Sequence, residues 1–193
     1  MTRRLLPVLL LLTACTADTA APSFFQLRMT NISPAEGVMG DMGMYAPRFS
    51  PGWVRVGGDA LYAEGEAASG ALTLLAEAGD PIRYAETEGF SIPEGFEDTY
   101  MGSPLASGES FAVRFEAVPG QRLHFASMFI ESNDTVVGFD MPLFDGDTPR
   151  SGDITADTSY YDVGSEVNEP PGFGPGQPGG EADGEDELSL IHI

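Results

Sequence analysis

The stretch from Glu109 to Ile130, ESFAVRFEAVPGQRLHFASMFI, constrains the fold more than any other. In its first half Phe111, Val113 and Phe115 fall on one side, and Ala112, Arg114 and Glu116 on the other. A period of two marks a strand with one buried face. Val118 to Gln121 then reads as a type II turn, because Pro119 presets the first central φ and Gly120 accepts φ > 0. Arg122 to Ile130 returns as a second strand. The expectation is an antiparallel hairpin from Glu109 to Ile130.

Other segments extend the pattern. Phe24 to Ile32 sets Phe25, Leu27 and Met29 against Gln26, Arg28 and Thr30. Val136–Phe139 and Thr158–Val163 read as further short strands, and LSLIHI at the C-terminus alternates as a terminal one. Val38 to Gly58 is rich in Gly, Met and Pro and reads as loops around short strands. One helix is expected, at about residues 69–78. Ser69 is its cap, Leu72, Leu75 and Ala76 share a face, and Gly79 and Pro81 end it. Short strands at regular spacing with a single helix predict an all-β fold, an antiparallel β-sandwich.

The N-terminus reads as a targeting segment. Charged MTRR precedes LLPVLLLL, an apolar run too short to span a bilayer as a helix. Leu12, Thr13 and Ala14 then lead to Cys15, the single cysteine of the chain. This resembles a bacterial lipoprotein signal, in which the cysteine is lipidated and becomes the first residue. Thr16 rather than Asp follows it, which points to the outer membrane. The expected organisation is a signal over 1–14, a tether over 15–23, a domain over 24–176, and an acidic tail over 177–193 carrying the terminal strand.

Charge narrows the partners. The chain holds 30 Asp and Glu against nine arginines and no lysine, a net charge of -21. Loss of Arg3 and Arg4 with the signal makes it about -23. Nucleic acid and anionic lipid surfaces are disfavoured, and divalent cations are favoured. The only histidines are His124 and His192, with His124 expected on a sheet surface. There is no paired-His zinc pattern, nucleophile elbow or phosphate-loop lysine, so no enzyme activity is expected.

A polar knot interrupts the strands. Glu131, Ser132, Asn133 and Asp134 stand between apolar runs, in ASMFIESNDTVVGFD. Farther on, Asp162 and Glu166 flank Gly164 at four-residue spacing, where a tight turn can aim both carboxylates at one point. Asn133 is expected to orient its loop by side-chain hydrogen bonds. A second acidic run offers Asp145, Asp147 and Asp153. It is no EF-hand, because Pro149 falls at a ligand position and no Glu closes the loop.

Four segments, in order, resemble the spondin N-terminal domain family: EGEAASGALTLLAEAGDP, VPGQRLHFASM, FASMFIESNDTVVG and YYDVGSEVNE. The resemblance covers about residues 24–176. It implies a β-sandwich akin to calcium-dependent phospholipid-binding domains, and a bound Ca²⁺. Carried over position by position, the family's metal ligands are Asp134, Asp162 and Glu166. This chain departs in carrying Glu166 where the animal spondins have Asp, and Val163 and Ser165 for Ala and Thr. Ca²⁺ takes about six to eight oxygen ligands, so carbonyls or water would complete the shell.

Three functional readings follow. The first is a non-enzymatic, calcium-binding module, held on the bacterial envelope through Cys15, that binds an unknown protein or glycan ligand or mediates adhesion. The second is a structural envelope lipoprotein whose ion only stabilises the fold. The third is a hydrolase with a carboxylate pair, Asp134 with Asp162.

Overall fold

The computed structural model describes residues 21–80, 104–172 and the backbone of 191–192. Its centre is a five-stranded antiparallel sheet. The chain enters it at β4 (Phe49–Val56) and continues through β6 (Arg122–Phe129), β7 (Thr135–Pro142) and β10 (Ser159–Asp162) to the short β11 (Ile191–His192) at the far edge. A two-stranded ribbon of β1 (Ser23–Thr30) and β5 (Ser110–Ala117) is separate from it. Small hairpins complete the set: β2 (Val38–Met39) with β3 (Met44–Tyr45), and β8 (Phe144–Asp145) with β9 (Thr148–Pro149). The all-β antiparallel class is as the periodicity predicts.

The expected hairpin of 109–130 does not form, and this is the main correction to the sequence reading. The turn itself is present: Gln121 N–H donates to the Val118 carbonyl at 3.2 Å, and Gly120 has φ 89°. But β5 pairs with β1 along its whole length, from Ser23 opposite Ala117 to Thr30 opposite Ser110. β6 pairs with β4 and β7 instead. The turn therefore carries the chain from one sheet to the other, and the two strands meet face to face. Phe111 packs on Phe125 at 6.1 Å between ring centroids. Phe25 stacks on Phe115 and meets the edge of Phe144 at 5.4 Å.

The composition of β6 explains the arrangement. RLHFASMF is buried at every position after Arg122, which a half-exposed hairpin strand cannot be. Leu123, Phe125 and Phe129 join the core beneath the ribbon. The opposite face, with His124, Ala126 and Met128, lies under α1 (Gly70–Ala78) and the chain before it. His124 is 1% exposed, which corrects its expected sheet-surface place. Burial pushes its pKa down, against the pull of Asp140, whose Oδ1 lies 3.4 Å from Nδ1.

The helix forms where expected. Ser69 Oγ accepts from Leu72 N–H at 3.1 Å, satisfying one of the free donors of the first turn. Gly79 closes the other end with φ 60° and donates to the Leu75 carbonyl. Ala71, Leu72, Leu75 and Ala76 are buried against the sheet. Such a short helix is marginal alone and holds only through this face.

Two substitutions test this packing. Leu75→Ala is expected to cost about 2–5 kcal/mol in a denaturant melt, because Leu75 is fully buried. Gly138→Ala is expected to cost roughly 1–3 kcal/mol, since its Cβ would fall 2.5 Å from the Phe125 carbonyl oxygen and from the Tyr62 hydroxyl. A neutral result for Gly138→Ala would contradict the covered second face.

Candidate metal centre

The polar knot closes the β6–β7 connection, and each of its side chains has a separate task. Ser132 Oγ donates to the Phe129 carbonyl at 2.7 Å and accepts from Thr135 N–H at 2.9 Å, which locks the turn. Glu131 turns back to Arg48, taking its Nε–H at 2.6 Å and its backbone N–H at 2.7 Å. Asn133 Nδ2 donates to the Val167 carbonyl at 2.7 Å, the orienting role expected of it. Asp134 reaches across to the segment that follows β10.

Asp134 and Asp162 come together because β7 and β10 are neighbours. Asp162 lies opposite Thr135 in the pairing register, one residue beyond Asp134. Val163 N–H donates to the Asp134 carbonyl at 3.1 Å, which extends the ladder past the strand ends. Gly164, with φ 67°, then turns the chain back. The turn aims two amides at one oxygen: Ser165 N–H and Glu166 N–H donate to Asp134 Oδ2 at 2.9 and 3.0 Å.

The electrostatics are unusual for so acidic a chain. Asp134 is 0% exposed and Asp162 is 1% exposed. Burial pushes the Asp134 pKa up to about 6, opposed by the amide of Glu166 and reinforced by the Asp162 charge. Asp134 Oδ1 is buried and has no hydrogen-bond partner. Asp162 is better served: Oδ1 accepts from Gly164 N–H at 2.8 Å, and Oδ2 from Asn168 Nδ2 at 2.5 Å.

The donor set suits a hard cation in its chemistry. Asp134 Oδ1 is an orphaned buried anion-forming oxygen, and Asp162 on the neighbouring strand is near enough for its charge to raise the Asp134 pKa. Glu166 is also at the Gly164 turn. Its backbone N–H holds Asp134 Oδ2, and its side chain is half-buried. Among the described residues no cluster of three or more His, Cys, Asp or Glu side chains is placed to hold a metal. A cation here would rest on the aspartate pair, with carbonyls and water completing its shell.

The other expected positions separate. Asp145 and Asp147 are exposed on the β8–β9 hairpin. Asp153 accepts from the amide and hydroxyl of Thr155 at 2.9 and 2.6 Å, capping its own turn. Cys15 lies outside the described residues, as do Arg3, Arg4 and most of the acidic tail. Two supports escaped the sequence reading: Asn168, six residues after Asp162, and the Arg48–Glu131 pair. The polar run in the knot carried a signal for Glu131. Asn168 had none beyond being an amide just after an acidic turn.

The raised pKa predicts a pH dependence in chelator. A carboxyl whose folded pKa lies above its unfolded value stabilises the fold fully below about pH 4. That contribution disappears as pH rises through about 6. A shift of about two units corresponds to roughly 3 kcal/mol. Without divalent ions, the stability of the wild type relative to Asp134→Asn is therefore expected to fall by about that amount between pH 4 and 7.5. A constant difference across that range in urea melts would contradict the buried ionisation.

No model of a known protein family matches this chain, and no curated protein matches it.

Proposed function

We propose that this chain is a calcium-binding, non-enzymatic module of the spondin type, anchored on the bacterial envelope through Cys15. The ion sits at the Asp134–Asp162 pair and braces two loops at one end of the central sheet, the β6–β7 turn and the segment after β10. One observation carries the reading: Asp134 Oδ1 is buried without a partner, while the buried Asp162 on the neighbouring strand adds its negative charge. Two such groups repel unless a proton or a cation joins them. At neutral pH the proton is largely gone from a group of pKa about 6, so a divalent cation is the better partner. The braced loops then present a surface to a protein or glycan ligand.

The depth of the pair also favours the second reading, an ion that only stabilises the fold. Carboxylates this far from solvent suit an internal brace better than direct capture of a ligand. The same burial speaks against a hydrolase, whose paired carboxylates must reach a scissile bond. The two leading readings differ in whether envelope partners are recovered with the ion-loaded protein.

Thermal melts test the ion. Ca²⁺ at about 100 times its Kd is expected to stabilise by about 2.7 kcal/mol, raising Tm by roughly 5–10 °C over the chelated protein. Asp162→Asn is expected to remove that rise while leaving the chelated Tm within a few degrees. Equal melting of the wild type with Ca²⁺ and with chelator would sink the proposal.

A further inference from the structure

A cleft of about 760 Å³ opens between β1 and the ribbon-facing side of the central sheet. Its volume lies within the ~300–1,000 Å³ range of small-molecule sites. Aromatic rings dominate one end. Phe129 stands at its centre, with Tyr45 at 6.3 Å and 63°, Tyr160 at 5.7 Å and 78°, and Phe49 at 5.8 Å and 38°. Rings meeting at such steep angles make walls of a corner rather than one flat stack.

Two charged residues line the cleft, one of each sign. Asp153 is at the rim, held ionised by the hydroxyl and amide of Thr155. Arg28 also borders the cleft, but it occupies an outward position of β1, alternating with the inward Leu27 and Met29. The chain as a whole carries -21. An anion entering the cleft meets that field, and a cation is drawn by it. Exposed apolar side chains adjoin the entrance: Ile32 borders the cleft and is 80% exposed, and Met39 and Met44 lie beside lining residues Val38 and Tyr45.

We propose that this cleft binds an organic cation, a quaternary ammonium head with an apolar tail. The head seats against the faces of Tyr45, Phe129 and Tyr160, where the ring quadrupoles attract it. The tail runs along the aliphatic and phenylalanine walls. None of these residues belongs to the Asp134–Asp162 pair, so the inference does not rest on the calcium reading.

The test uses the folded protein in chelator. Hexyltrimethylammonium is titrated in by proton NMR, and its N-methyl signal is expected to move upfield and saturate, as ring currents require. Choline is expected to bind at least about fivefold more tightly than 3,3-dimethylbutan-1-ol, its neutral isostere. Tyr160→Phe keeps the ring face and is expected to keep the affinity. Tyr160→Leu is expected to weaken hexyltrimethylammonium by at least about fivefold with its melting transition retained. Absence of a saturable shift would overturn the proposal. So would equal binding of choline and the alcohol, which would reveal an apolar cleft only. Equal affinity of the Phe and Leu variants would overturn it as well. The choline comparison needs no variant, so it decides the matter even if Tyr160→Leu does not fold.

Discussion

Two carboxylates with almost no access to water lie at adjoining strand ends of the central sheet, and the local structure is arranged around that fact. The β6–β7 turn brings Asp134 inward, and the pairing of β7 with β10 fixes Asp162 next to it. The Gly164 turn then supplies two amides to one oxygen of Asp134 and leaves the other unserved. Amide donors favour the ionised form, whereas burial and the neighbouring charge oppose it. The balance places the group near its midpoint at mildly acidic pH. A fold that only needed a tight turn here could use an amide side chain in place of Asp134. That buried charge is the feature our proposed cation accounts for.

The rest of the sandwich serves to hold these two strand ends in register. The central sheet is covered on both sides, by the β1–β5 ribbon and by α1, so β6 and β7 have little freedom to slide. Glu131 adds a tie from the polar turn to Arg48, just ahead of β4. The acid pair therefore sits on elements fixed by core packing, with its turns pinned by side-chain bonds.

Much of this was legible in the sequence, and the exceptions have a common cause. The helix was readable because its signals are local: Ser69 before it, Leu72, Leu75 and Ala76 along one face, Gly79 after it. The alternation of β1 and β5 was equally local. The partner of β5 was not. A Pro-Gly turn between two apolar strands fits a hairpin and a crossing between sheets alike, and only the two-faced burial of RLHFASMF separates them. His124 was misplaced for the same reason, since a histidine in an alternating strand looks outward until a helix covers that face. At the candidate site, Asp134 and Asp162 were named on a family resemblance, and the sheet brings them together. Glu166 was named as a side-chain ligand, and its backbone amide also donates to Asp134 Oδ2. Spacing in a sequence cannot distinguish those two roles.

Calcium titration in a pH-stat addresses the central claim most directly, because an ion at a half-protonated carboxylate must displace its proton. With an Asp134 pKa of about 6, binding at pH 6 is predicted to release about half a proton per Ca²⁺. At pH 8 the release is predicted to be close to zero, and Asp134→Asn is predicted to release none at either pH. Calcium uptake with no proton release at pH 6, or no uptake at all, would contradict the account.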